Sequence, residues 1–439
     1  MTGNYDVTVV GAGLAGCEAA YRLANRGFKV LLTEQKPKKF TPAHSYEGFA
    51  ELVCSNSLKA ERLSSAAGLL KREMEMLSSI TVECAKKTSV SAGGALAVDR
   101  TAFSDMITQK IRSHENITVV ECEQTDIPDG NVIIATGPLT SDALAQSIKA
   151  VVGDSYLSFF DAAAPIVTAD SIDFEKAFYA SRYDKGDGDY VNCPMNKEEY
   201  EAFYSQLVLA QSAPLNEFDK RDFKVYEGCM PIEVMAKRGE DTLRFGPLKP
   251  VGLKDPKTGK RPWAVVQLRM ENRGATLFNL VGFQTNLKFP EQKRVFSMIP
   301  GLENAEFARY GVMHRNTFLD SPKLLNSDFS LKSDPRIYFA GQMTGVEGYC
   351  ESAASGIIAA WALERAVTGK SKLSLPRDTM LGALSAHISN ESTEDFQPMG
   401  ANMGILPPLD ERIKSKPERY ETIANRALKS LFEYIEKLD

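Results

Sequence analysis

Two kinds of residue in this sequence have types and spacings suited to chemistry: glycines set ahead of a carboxylate, and a small number of thiols. The glycines stand in Gly11-Ala12-Gly13-Leu14-Ala15-Gly16, and the carboxylate is Glu34. A glycine turn of this spacing brings backbone N–H groups against a diphosphate. Gly11 permits the tight turn, Gly13 lets a pyrophosphate approach the backbone, and Gly16 lets helix and strand pack closely. Glu34 follows at the interval where a carboxylate accepts hydrogen bonds from adenosine ribose hydroxyls. The thiols number seven, with no CxxC spacing. A thiolate is strongly nucleophilic near neutral pH, but a cysteine also serves as a small buried gap-filler. Cys54, between Leu52-Val53 and Ser55-Asn56-Ser57, reads by itself as the second kind. Cys229 lies in Tyr226-Glu227-Gly228-Cys229-Met230-Pro231-Ile232-Glu233, with Lys237 and Arg238 close behind. Cys350 sits among small residues and reads as packing, while Cys17, Cys84, Cys122 and Cys193 carry no functional argument.

The elements that must position these groups are legible around them. Val7–Val10 is an apolar run suited to a strand buried on both faces. Helical spacing follows from Leu14, and a second apolar run, Phe28 to Thr33, ends on Glu34. Strand, glycine turn, helix, strand and acid make the dinucleotide-binding βαβ unit, whose helix N-terminus faces the diphosphate. Two later strands end in turns of the same character, at Ala135-Thr136-Gly137 and at Ala340-Gly341-Gln342. The second leads through Gly348 into a helix predicted over Cys350 to Ala366. In flavoproteins with two dinucleotide folds this turn usually carries an aspartate, so Gln342 is a departure. Three stretches returning to one cofactor favour FAD over NAD, which needs only the first. The cofactor set is therefore Gly11, Ala12, Gly13, Leu14, Ala15, Gly16, Glu34, Gly137, Gly341, Gln342 and Gly348. Further helices are predicted over Ala66–Leu77, Thr101–Arg112, Lys197–Ala210 and Pro417–Leu438 from their apolar periodicity. The basic, proline-broken loop Lys36 to Pro42 reads as a solvated turn rather than a phosphate contact.

These elements predict an α/β protein: an FAD-binding Rossmann-type domain, glutathione-reductase-like, over 1–165 and 301–439, with an α+β domain inserted at 166–300. Hydrophobic content of 43% and charged content of 25% are those of a soluble globular chain. No apolar run is long enough to span a membrane, and the first strand begins too early for a signal peptide. An odd, scattered cysteine count argues against a disulfide framework and against a zinc site, so a reduced, cytoplasmic setting and no metal are expected. The net charge of −5 gives no global sign of nucleic-acid binding. Locally, Lys249, Lys254, Lys257, Lys260 and Arg261 face only Asp255, which reads equally as an exposed charged hairpin or as a polyanion contact. Nothing in the sequence addresses the oligomeric state.

The blocks GAGLAGCEAA, FAELVCSNS, AGGALAVDR, IIATGPLTS, EGCMPIEVMAKRG, GPLKPVGL, YGVMHRNTFLDSP and FAGQMTGVEGYCESAASG occur in that order. Together they resemble the bacterial folate- and FAD-dependent tRNA (uracil-5-)-methyltransferase family over nearly the whole chain. The resemblance implies transfer of a one-carbon unit from methylenetetrahydrofolate to C5 of the T-loop uridine of tRNA. FAD takes part, and NADH or NADPH restores its reduced form. It also implies two catalytic cysteines, Cys229 as nucleophile and Cys54 as general base. Chemistry supplies the reason: uracil C5 is a poor nucleophile until a thiolate adds at C6, after which a base must remove the C5 proton. By the same resemblance His314, with Arg315 and Asn316, stands on the folate side. Phosphate contacts fall to Lys237, Arg238, Lys249, Lys254, Lys257, Lys260 and Arg261. The same chemistry on a ribosomal-RNA uridine, an FAD-bearing RNA-binding protein without turnover, and a folate-independent flavin oxidoreductase are the alternatives.

Overall fold

A computed structural model describes residues 5–153, 156–184, 188–213, 230–394 and 396–438. Its first core is built on a parallel five-stranded sheet. In spatial order the strands are Ile337–Phe339, Val132–Ile134, Val7–Val10, Val30–Glu34 and Ile117–Glu121. Val7–Val10 is central, with Thr8 opposite both Leu31 and Val132. Layers cover both faces of the sheet, which is why this strand is apolar without alternation.

Helix Leu14–Asn25 leaves the first strand and packs on the long helix Tyr349–Val367. Gly356 sets their separation: a Cβ there would lie 2.1 Å from the Ala15 carbonyl oxygen. The two backbones therefore touch, and Ala15, Gly16, Ala353 and Ala354 are buried about the crossing. Helix Ala66–Met76, helix Met380–Ile388 and the tail helix Lys416–Leu438 complete this core. The periodicity of the tail predicts a stripe of Ile423, Ala427, Leu431 and Ile435; the first three are buried together with Ala424, and Ile435 is partly buried against the same core.

The second core lies between Ala164 and Phe307. Its antiparallel sheet runs Phe178–Tyr179, Tyr190–Met195, Ala264–Met270, Leu277–Leu280, Ile166–Thr168, Phe307–Arg309. Helices Lys197–Leu209, Ile232–Ala236 and Phe289–Phe296 pack on it through Tyr200, Phe203, Ile232 and Phe296. An antiparallel ribbon of Tyr156–Ala162 with Met313–Leu319 brackets this core in sequence. Helices Ile80–Lys87 and Asp142–Val152 are additions to the sequence reading.

One sequence expectation is corrected. Lys36 is not solvated: it is 4% exposed, and its ammonium donates to the carbonyls of Tyr46 at 3.0 Å and Gly48 at 2.6 Å, beside the Glu51 carboxylate. Lys38 and Lys39 are exposed. Among the described residues no helix is long and apolar enough to cross a membrane, and no group of His, Cys, Asp or Glu is arranged to hold a metal ion.

Candidate active site

A cleft with about 1330 Å³ of empty space, part of it open to solvent, lies against the glycine turn of the first core. Gly11, at φ +96°, leaves the central strand with no room for a side chain: a Cβ would sit 2.8 Å from the Ala135 oxygen. A Cβ on Gly16 would fall 1.8 Å from the Gly11 oxygen. Gly13 differs, because a Cβ there would meet nothing within 4 Å. Two glycines thus serve packing, and the third leaves open space over the start of the helix. No side chain caps that helix at Gly13, so its first N–H groups remain available to an anion. Glu34 braces the turn, accepting from the N–H of Ala12 at 2.7 Å and of Lys36 at 2.9 Å. A carboxylate has lone pairs left for ribose hydroxyls beyond these two bonds. Gly137 lines the cleft at φ +70° with open space beside it. Gly341, at φ +84°, is held by its N–H to the Ser355 hydroxyl at 2.6 Å. This cradle fits a dinucleotide.

Cys54 lies on the wall of the same cleft, half-buried, with its Sγ 3.8 Å from the Ala162 oxygen. Its loop is bound from several sides. The Tyr349 hydroxyl, at the start of the long helix, accepts from the N–H of Cys54 at 2.8 Å and of Ser55 at 3.1 Å. Burial, with the Cys54 thiol nearby, pushes the Tyr349 phenol well above its usual range, so it is a neutral hydroxyl. The Arg100 guanidinium donates to the carbonyls of Leu52 and Cys54 while ion-paired with Glu271. Asn56 is fully buried, donating to the carbonyls of Val98 at 2.9 Å and Met270 at 2.8 Å. The Arg269 guanidinium reaches across to the Asn56 side-chain oxygen at 2.8 Å and the Ser55 hydroxyl at 2.7 Å. Arg269, Met270 and Glu271 come from the second core, so both cores hold this loop.

Of the residues expected from sequence, Gly11, Ala12, Gly13, Leu14, Ala15, Glu34, Cys54, Gly137, Asn316, Gly341 and Gln342 share the cleft wall. Gly16 packs behind it. Gly348 is outside the wall: at φ +122° it caps the long helix, where a Cβ would collide with the Glu351 carboxylate. Gln342 donates to Glu347. His314 and Arg315 occupy the strand Met313–Leu319 opposite Asp161 and Phe160, and their side chains lie outside the described residues. Cys229 also lies outside the described residues. Lys237, Arg238, Lys249, Lys254, Lys257, Lys260 and Arg261 are all exposed on the second core. Cys350 is buried, its thiol pushed up to about 12 by burial.

Sequence reading missed several wall residues. His44 lines the cleft with Thr41, its Nδ1 2.6 Å from the Thr41 hydroxyl, and burial lowers its pKa. Outside the wall itself, the Arg309 guanidinium lies 3.5 Å from the oxygen of the wall residue Ala43, and burial and the charge of Arg100 lower its pKa. Tyr349 lies in FAGQMTGVEGYCESAASG, where nothing local marks its hydroxyl.

A family profile described as glucose inhibited division protein A matches residues 6–371. The protein named methylenetetrahydrofolate–tRNA-(uracil-5-)-methyltransferase TrmFO from Acetivibrio thermocellus is 58% identical over 432 residues, covering 98% of this chain and 99% of its own. Its counterpart from Enterococcus faecalis is 57% identical over 433 residues, covering 99% of each. Among solved structures, Aquifex aeolicus GidA in its form II crystal superposes with a TM-score of 0.69 at 17% identity, over 98% of this chain and 73% of that one. That last likeness concerns the fold alone.

Proposed function

The chain belongs to the glucose inhibited division protein A family and, within it, to the methylenetetrahydrofolate–tRNA-(uracil-5-)-methyltransferases, and from that premise we propose that it methylates C5 of a uridine in tRNA with methylenetetrahydrofolate as carbon donor. The observation that carries this reading is the position of Cys54, a thiol on the wall of a dinucleotide cleft and held there by both cores. FAD is the dinucleotide the cradle would hold, with Gly13 and the helix start at its diphosphate and Glu34 at its ribose. When bound and reduced, it supplies the two electrons that convert the transferred methylene to a methyl group.

The protein's own residues supply the rest. Cys229 as thiolate forms a bond to uracil C6, placing an electron pair at C5, which then attacks the one-carbon unit. Cys54 takes the C5 proton, and the electron pair so released expels the amine nitrogen that carried the one-carbon unit, leaving a C5=CH₂ group. The two electrons and a proton arrive at that carbon as hydride to make the methyl, and departure of the Cys229 thiolate restores the C5–C6 double bond. One C–H bond is thus exchanged for one C–CH₃ bond. The Cys54 loop is orientated by Tyr349, Arg100 and Arg269. His314, Arg315 and Asn316 receive the folate. NADH or NADPH returns the cofactor to its reduced form. The T loop of the tRNA brings the target, and Lys237, Arg238, Lys249, Lys254, Lys257, Lys260 and Arg261 meet its phosphates. The setting is the cytoplasm.

The test is incubation of the purified protein with methylenetetrahydrofolate, NADPH and an unmodified tRNA transcript, followed by nucleoside analysis. The expected product is 5-methyluridine in the T loop, lost in Cys229→Ser and in Cys54→Ser. Methylation supported by S-adenosylmethionine and indifferent to folate would overturn the reading.

A further inference from the structure

The second core carries an aromatic side chain that nothing in the chemistry above uses. Phe245 ends the short helix Thr242–Phe245 and is 83% exposed, more than any other large apolar side chain among the described residues. Its backbone is fixed. The Phe245 N–H donates to the Asp241 oxygen at 3.1 Å, and the neighbouring Leu243 is fully buried. The Leu243 oxygen accepts from the N–H of Leu248 at 2.9 Å, and the Leu248 oxygen accepts from that of Val265 in the sheet at 3.0 Å. Arg244 is held too, its guanidinium 3.6 Å from the centroid of the Trp263 ring and paired with Asp241. Phe245 is therefore a displayed ring on an anchored turn.

Its surroundings select the partner. Lys249 follows four residues later and is exposed. Among the described residues Lys237, Lys249, Lys254, Lys260 and Arg261 form no ion pair. The acid of this stretch, Asp255, is occupied within its own turn by the N–H of Lys257 at 2.9 Å and the Thr258 hydroxyl at 3.0 Å. A bare π-face on a segment that continues into exposed cations without ion pairs complements a strand that alternates π-faces with phosphates. An apolar protein groove would gain from the ring but would bury the lysine charges unpaired.

We propose that Phe245 is a stacking platform for an unpaired base of the RNA substrate, with Lys249 on a phosphate beside that base. This deepens the proposed function and rests on its RNA substrate. Extracting a uridine from its loop leaves neighbouring bases without a stacking partner, and a protein ring restores one.

The experiment measures binding of an unmodified tRNA transcript to the full FAD-loaded protein by fluorescence anisotropy across a series of KCl concentrations. Phe245→Ala is expected to weaken binding roughly 5- to 100-fold with the slope of log K against log salt unchanged, and Phe245→Trp to restore it. Lys249→Gln is expected to reduce that slope by about 0.7 to 0.9. Wild-type flavin absorbance and melting temperature in Phe245→Ala exclude misfolding. Unaltered affinity in Phe245→Ala overturns the proposal. So does a loss of self-association by sedimentation with RNA affinity intact, which would make the ring a protein contact. Methyl transfer from folate is measured in parallel. A Phe245 effect on binding without methylation by the wild type keeps the platform and removes the proposed function; methylation without a Phe245 effect does the reverse.

Discussion

Cys54 and Cys350 differ in chemistry because they differ in burial. Cys350 is 2% exposed, and burial holds its thiol up at about 12. Cys84 and Cys193 are likewise pushed up to about 12 by burial, and Cys17 well above its usual value. At pH 8 a thiol with a pKa near 12 is ionised in roughly one molecule in ten thousand, and only the thiolate alkylates. Among the described cysteines, brief iodoacetamide treatment of the folded protein at pH 8 should therefore label Cys54 and Cys122, both partly exposed on the cleft wall, and spare the buried Cys17, Cys84, Cys193 and Cys350. Peptide mass mapping reads the result, and equal labelling of Cys350 would show that the long helix opens at its start. Tyr349 offers a second prediction at this scale. Phe in its place removes the acceptor of two backbone N–H groups, which costs about 1–3 kcal/mol when they are left unpaired. Tyr349→Phe should lower the melting temperature and the methyl-transfer rate while the bound flavin remains.

The elements divide into those whose reasons are local and those whose reasons are not. The βαβ unit was legible because Gly16 meets Gly11 and Glu34 meets Ala12 within one stretch of chain, and the turn itself asks for glycine at Gly11, whose φ is +96°. The tail helix was legible because one stripe meets one core. Lys36 was not, since its acceptors at Tyr46, Gly48 and Glu51 arrive only when the next loop folds over it. The sheet of the second core was obscured by short strands and by Pro194 inside one of them. Tyr349 meets Cys54 across 295 positions, which no local pattern reports. Helix Ala66–Met76 carries a residue of the same kind. Glu73 falls on its apolar stripe, fully buried, and accepts the N–H groups of Met380 at 2.7 Å and Leu381 at 2.9 Å, the start of another helix. Burial raises its pKa to about 8. The unfolded chain releases this proton near the ordinary glutamate value, whereas the native state keeps it until about 8. Native protein thus binds more protons in between, and stability falls as pH rises through that window. Glu73→Gln should flatten the decline by up to about 1.4 kcal/mol per pH unit, measured by urea unfolding at a series of pH values. A second element-scale prediction concerns Gly356. Ala there must push apart two touching helices, at about 1–3 kcal/mol, and should lower both melting temperature and flavin retention.

At the scale of the whole molecule, the loop carrying Cys54 is where the two cores meet through buried polar groups. Asn56 is bonded to Val98 in the first core and to Met270 in the second, and Arg269 closes the set on Asn56 and Ser55. The Arg100–Glu271 pair spans the same boundary, with Glu271 3% exposed. Such a boundary differs from an apolar one. Each polar group is satisfied only when the cores are in register, so a small displacement exposes unmet donors and acceptors together. The thiol is consequently positioned by the relation between cores and not by its own loop alone. A double-mutant cycle tests this. Asn56→Ala and Arg269→Ala should each reduce methyl transfer strongly while the cofactor, held by the first core, stays bound. Their combined effect should fall short of the sum, with a coupling of about 0.5–3 kcal/mol. Additive losses would mean that the two residues act independently and that the register of the cores does not set the position of Cys54.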